Sequence, residues 1–201
     1  MHTPPSSPAA QRNRQPIAAI LDEELPATGK ILEIASGTGE HALYFAEKFP
    51  QILWQPSDAS EAAIEAIASW SKSADLPNLL PPLQLDASDP QRWPAVGALT
   101  AILCINMVHI SPWSVTTGLF TGAQARLQAD DPLILYGPYL RSEVETAASN
   151  VAFDADLKRR NPAWGLRALE DVDKLAANHQ FQRTRLAEMP ANNIMLVYRR
   201  A

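Results

Sequence analysis

The sequence predicts an α/β domain in which a mostly parallel sheet carries helices on both faces and ends in an antiparallel hairpin. Three observations predict it. Short apolar runs alternate with stretches of helical spacing along the chain, the pattern of parallel strands joined by crossover helices. The run Leu99 to Ile105 is apolar almost without interruption, as expected of a central parallel strand buried on both faces. The last two apolar runs are separated only by Met189-Pro190-Ala191-Asn192-Asn193, too short for a crossover and therefore a hairpin turn.

Taken in order, residues 1–10 are rich in Pro and Ser and read as mobile. Pro16 suits the first turn of a helix that runs through Ile17, Ile20, Leu21 and Leu25, so residues 1–15 are read as an N-terminal segment, a possible lid, and 16–201 as one domain. A strand at 30–35 and a helix at 39–49 follow, the helix closed by Pro50. Ile52-Leu53-Trp54 makes a second strand, 59–73 a helix, and Leu83 to Leu85 a short strand ending at Asp86. After the Leu99–Ile105 strand come a helix at 114–128 and a strand at 132–137. Residues 138–168 break the alternation, with a helix at 142–157, the turn Asn161-Pro162 and Trp164. They follow the carboxyl end of a strand, where open α/β sheets bind ligands, and read as substrate-side structure or as a peripheral packing element. A helix at 169–178 and strands at 180–188 and 193–199 complete the chain.

A length of 201 residues, 46% hydrophobic and 19% charged, suits a soluble domain with a full core. The net charge of −5 gives no support to a nucleic-acid partner. Cys104 is the only cysteine, so no intrachain disulfide forms, and its apolar neighbours mark a small buried thiol. No apolar stretch approaches the ~20 residues of a membrane span, and MHTPPSSPAA lacks the features of a signal peptide. The chain is read as cytoplasmic. No pair of His, Asp or Glu has metal-ligand spacing.

The most informative stretch is Ile31 to His41, ILEIASGTGEH. A strand runs into Ser36-Gly37-Thr38-Gly39 and then into helical spacing, which makes a nucleotide-cradling turn: bare glycine backbone comes close to a ligand, and the helix start offers free N–H groups. Asp58, nineteen residues after Gly39, stands where a ribose would lie. Two ligands compete. Gly37-Thr38-Gly39-Glu40-His41-Ala42 fits the G-x-G-x-x-A fingerprint of a dinucleotide site, which would make an NAD-dependent oxidoreductase. S-adenosylmethionine is favoured by Glu33, an acid suited to an amino group and a sulfonium, by Asp86 facing an adenine amino group, and by the lack of Lys or Arg in 31–47. No P-loop motif is present.

The order of an acid and glycine loop, then Asp58, Asp86 and Asn106, resembles the class I S-adenosylmethionine-dependent methyltransferases. The closer resemblance is to the group known as domain of unknown function 938, carried by Arg12-Asn13, Leu32 to Gly39, Trp54-Gln55-Pro56-Ser57-Asp58 and Cys104 to His109. It continues through Tyr136-Gly137-Pro138-Tyr139, Arg160-Asn161-Pro162, Trp164-Gly165-Leu166-Arg167 and Met189 to Asn193. The resemblance implies a Rossmann-like seven-stranded sheet with a reversed last strand and S-adenosylmethionine binding, but no substrate. Ala35 departs from the wider pattern, standing where the first glycine of the loop would be.

Donor contacts are expected from Glu33, Ala35, Ser36, Gly37 and Gly39, from Asp58 with Ala59, from Asp86 with Ala87, and from Asn106 and Met107. Asp58 could instead cap the 60–73 helix and Asp86 its own turn, while Asn106 suits a plain turn. His109 is the candidate general base, against a structural histidine; Asn106 and Tyr139 are further catalytic candidates. Tyr136 and Tyr139 are expected to face one mouth as an aromatic pair for a planar or amine acceptor, with Trp164 nearby. Arg12 and Asn13, placed before the first helix, would fold over the pocket, Arg12 reaching the methionine carboxylate or an acidic substrate. The expected activity is methyl transfer to a small molecule; a non-catalytic binding module and the oxidoreductase are the rivals.

Overall fold

Strands form where the apolar runs predict them. In the computed structural model, which describes residues 8–201, β1 (Gly29–Ile34), β2 (Ile52–Asp58), β3 (Leu83–Gln84), β4 (Ala101–Ile105) and β5 (Pro132–Gly137) run parallel. The final pair, β8 (Phe181–Met189) and β9 (Asn193–Arg200), is a hairpin whose second strand inserts antiparallel beside β5. Among the described residues the sheet has seven strands in the order β3-β2-β1-β4-β5-β9-β8. This is the seven-stranded sheet with a reversed last strand that the resemblance implies. His2 and most of the Pro/Ser-rich stretch lie outside the described residues.

The sheet alternates its side chains between two apolar layers. Ile31, Trp54, Leu103 and Ile134 pack with Ile17 and Leu21 of α1 (Pro8–Glu24) and Phe45 of α2 (Glu40–Lys48). Leu32, Ile102, Cys104 and Leu135 face the opposite layer, which holds Leu119 and Phe120 of α4 (Trp113–Gln124) and Val172 of α6 (Leu169–Asn178). Every residue of β4 is buried, and burial pushes the Cys104 thiol up to about 12. Helix α3 (Glu61–Ala74) is capped by Ser60, whose side chain accepts the Ala63 N–H. No helix among the described residues is long and apolar enough to cross a membrane.

Three expectations are corrected. The first helix does not begin at Pro16; it runs from Pro8, and Pro16 lies inside it. Ala10, Asn13, Ile17 and Leu21 are buried at helical spacing on both sides of the proline, so packing of this face outweighs the lost N–H. Arg12 and Asn13 therefore stand on a helix. The helix expected at 142–157 is α5, Ala148–Arg160. The Ser142 N–H and hydroxyl both donate to Glu170 Oε1 (2.9 and 2.6 Å), which ties that segment to α6 instead. Finally, β6 (Tyr139–Leu140) and β7 (Arg167–Ala168) form a separate parallel pair, too short to leave a periodic signal.

Candidate functional site

The turn after β1 is shaped by three left-handed residues. Ala35, Gly37 and Gly39 have φ of 57°, 57° and 83°, a region that glycine enters freely and alanine at a cost of roughly 1–2 kcal/mol. A Cβ at Gly37 would meet nothing within 4 Å, whereas one at Gly39 would come within 3.0 Å of Ile67 on α3. Gly37 thus leaves open space above the loop, and Gly39 lets α3 close in beneath it. Two serines stitch the loop to β2: Ser36 N–H donates to Ser57 O (2.9 Å), and Ser57 Oγ donates to Glu33 O (2.7 Å). Asp58 completes the frame, with Oδ2 accepting the Gly37 N–H and Oδ1 the Ser60 N–H, both at 2.9 Å.

Glu33 lies behind this loop, only 1% exposed. The Trp54 indole donates to its Oε2 at 2.6 Å, and burial raises its pKa to about 7 despite that bond. Asp86 is exposed. Its Oδ1 accepts from the Ser88 N–H and hydroxyl, closing the turn that was its alternative role. Ala59 is exposed beside Asp58, while Ala87 is buried against Gly118 of α4. Met107 is buried and its sulfur accepts the Ser111 hydroxyl at 3.1 Å.

Asn106, left-handed at φ 59° and held by its N–H to Tyr136 O, lines a cavity of about 610 Å³. The turn after β4 also contributes His109 and Ile110, and the end of β5 contributes Tyr136 and Pro138; α1 contributes Ala9, Arg12 and Asn13, α5 contributes Ser149, Asn150 and Phe153, and the hairpin turn contributes Pro190 to Asn193. His109 is edge-on to Phe153, with ring centroids 5.5 Å apart, and burial followed by the nearby Arg167 charge lowers its pKa to about 4. Its loop is held from behind: Arg167 donates to the carbonyls of Val108, Ser111 and Ala163, and Gly165 N–H donates to His109 O. On the α1 side His41 Nε2 donates to Asn13 Oδ1 at 2.7 Å. Tyr136 is buried on the cavity lining, and burial raises its hydroxyl pKa.

The structure thus brings Arg12, Asn13, Asn106, His109 and Tyr136 together. It separates two others from them. Tyr139 points into the layer that contains Cys104, where burial pushes its hydroxyl pKa well up, because Gly137 and Pro138 put it on the opposite side from Tyr136. The expected aromatic pair does not form. Trp164 is outside the cavity under the Arg160 guanidinium, 5.3 Å from its ring centre. The α5 residues, Ile110 and Pro190 to Asn193 carried no predicted role; the Met189–Asn193 stretch was the one available signal, visible only as a resemblance.

The whole assembly matches a described family, Protein of unknown function (DUF938), over residues 4–200. The chain belongs to that family. That description names no function, and the solved structures show the fold. An O-methyltransferase family protein from Burkholderia thailandensis superposes with a TM-score of 0.79 at 14% identity, over 96% of this chain and 57% of that one. The mitomycin 7-O-methyltransferase MmcR gives 0.80 at 16%, over 96% and 54%. CalO1, a methyltransferase of calicheamicin biosynthesis in its SAH-bound form, gives 0.74 at 14%, over 96% and 54%. This DUF938 chain spans little more than half the length of these neighbours.

Proposed function

We propose that this chain is an S-adenosylmethionine-dependent methyltransferase with a small-molecule acceptor. The observation that carries the reading is the open glycine loop, framed by Asp58, after the strand that pairs with β4, whose following residue Asn106 lines a half-open cavity of about 610 Å³, a size suited to a small ligand. The solved neighbour bound to S-adenosylhomocysteine supports the choice of donor.

Bound donor supplies an electrophilic methyl group on a sulfonium. The bare backbone at Gly37 leaves room for it, and each Asp58 oxygen, having accepted one N–H, keeps capacity for a ribose hydroxyl. Asp86, exposed after β3, keeps its Oδ2 for an adenine amino group. The absence of Lys and Arg from 31–47 suits a ligand without phosphates. Glu33, buried and bonded to Trp54, braces the loop from below.

On the acceptor side, His109 is neutral at pH 7 because its pKa is near 4. A group of that pKa is a poor proton acceptor at neutral pH, so its use is to hydrogen-bond and orient a nucleophile. Rate then comes from alignment of the nucleophile with the methyl group. The test is calorimetric titration with S-adenosylmethionine, S-adenosylhomocysteine and NADH. Micromolar binding of the sulfur ligands, weakened at least about tenfold in Asp58→Ala, is expected, since a charged hydrogen-bond acceptor contributes about 1.5–3 kcal/mol. Binding of NADH in their place would overturn the reading.

A further inference from the structure

The charge in the cavity is one-sided. Arg12 is exposed on its wall; among the described residues it carries no ion pair and is the one cation of the lining, and no Asp or Glu lines it. That is unusual in a chain of net charge −5. Neighbouring arginines are occupied elsewhere. Arg14 covers the Tyr44 ring at 4.7 Å, Arg141 pairs with Glu188 at 2.6 Å, and Arg167 is held by three carbonyls. The rest of the lining includes the aromatic rings of Tyr136 and Phe153 and the apolar side chains of Ile110 and Pro138.

A guanidinium without a partner in a lining of rings and apolar side chains fits a ligand with one anion and one planar body, since the fork of N–H groups matches a carboxylate bidentately. A nucleic acid would need a row of cations, and an amine would meet only repulsion. We infer that the cavity takes a planar aromatic acceptor bearing a carboxylate, with Arg12 as its anion anchor. This rests on the methyltransferase reading for the word acceptor, but the anion site stands on its own geometry. The position of Arg12 is fixed by its neighbour Asn13, which is buried and bonded to His41 and so ties α1 to α2.

One ambiguity is chemical: the carboxylate that Arg12 meets could be that of the donor's methionine tail. The experiment separates the two. Para-hydroxybenzoate and para-hydroxybenzamide are titrated into protein saturated with S-adenosylhomocysteine, and into free protein, for wild type, Arg12→Ala and Arg12→Lys. The expected result is binding of the acid at least tenfold tighter than the amide, that preference lost in Arg12→Ala and partly kept in Arg12→Lys, with S-adenosylhomocysteine affinity unchanged within about twofold. Acid and amide bound equally, or S-adenosylhomocysteine weakened tenfold in Arg12→Ala with no change for the acid, would overturn the inference and leave the methyltransferase reading intact. Arg12-dependent binding of the acid in a protein that ignores S-adenosylhomocysteine would support the anion site and sink the donor assignment instead.

Discussion

The glycine loop and the cavity beside it draw on very different lengths of chain. The loop is built from residues 33–60, where Glu33, Ser36, Gly37, Ser57, Asp58 and Ser60 hold one another by short hydrogen bonds across two adjacent parallel strands. The cavity draws on five separate segments between Ala9 and Asn193, brought together by α1, the turn after β4, the end of β5, α5 and the last hairpin. A local frame of hydrogen bonds is stiff and tolerates little change. Walls delivered by separate elements can vary one at a time, which suits a constant ligand on one side and a changeable one on the other.

The largest test of this contrast is Gly39→Val. The new side chain would be forced into a left-handed backbone and against Ile67, costing roughly 4 kcal/mol of stability and abolishing donor binding. Urea denaturation measures it, and a loss under about 1 kcal/mol would show that the loop is not the stiff partner.

The pH dependence divides along the same line. Glu33, under the loop, has its pKa raised from 4.5 to about 7 by burial. Between those values the folded chain keeps a proton that the unfolded chain has released, so this group's stabilisation is lost as pH rises to 7. His41 and His109, on the cavity side, are lowered from 6.5 to about 4, chiefly by burial. There the unfolded chain binds the extra protons, so stability grows from pH 4 to 6.5. The two histidines outweigh the one glutamate: wild-type stability is expected to climb to about pH 6.5 and then slip slightly. Glu33→Gln removes the slip and should be about 3 kcal/mol more stable than wild type at pH 8, read by denaturation across the pH series. A variant with an unchanged profile would place the titrating group elsewhere.

The smallest expected effect sharpens the picture of the loop itself. Ala35→Gly relieves a left-handed alanine but gives the unfolded chain more freedom, so stability should move by less than about 1 kcal/mol. A gain above 2 kcal/mol in thermal melts would mean that the turn stores more strain than its backbone angle indicates.

The same difference in construction decides what the sequence could reveal. The β4 run, the glycine turn and the terminal hairpin each declare themselves within a few residues, so the sheet and the loop were legible. The place of Asp58 at the end of β2, beside the loop, was legible by spacing alone. The cavity was not, because no local pattern links Asn150 or Phe153 to His109; only the closed chain does. Pro16 misled for a related reason, since the burial of Ala10 and Asn13 that keeps the helix going past it is a tertiary contact. Tyr136 and Tyr139 looked like a pair because both flank Gly137-Pro138, yet the chain leaves the sheet there and turns the second ring into the other layer.

The reversed strand β9 has a consequence beyond sheet topology. Because it runs against β5, with Ile194 beside Gly137, the turn Pro190–Asn192 arrives at the edge where the parallel strands end, rather than at the far side of the sheet. Ala191 and Asn192, left-handed at φ 59° and 56°, make this a compact tip, and Asn150 donates to Asn192 O to pin it to α5. Three residues at a hairpin tip are the part of a domain that substitutes with least disturbance to the rest. The shape of the cavity is therefore adjustable at one short turn, from the opposite end of the chain to Arg12, while the glycine loop and the core beneath it stay as they are.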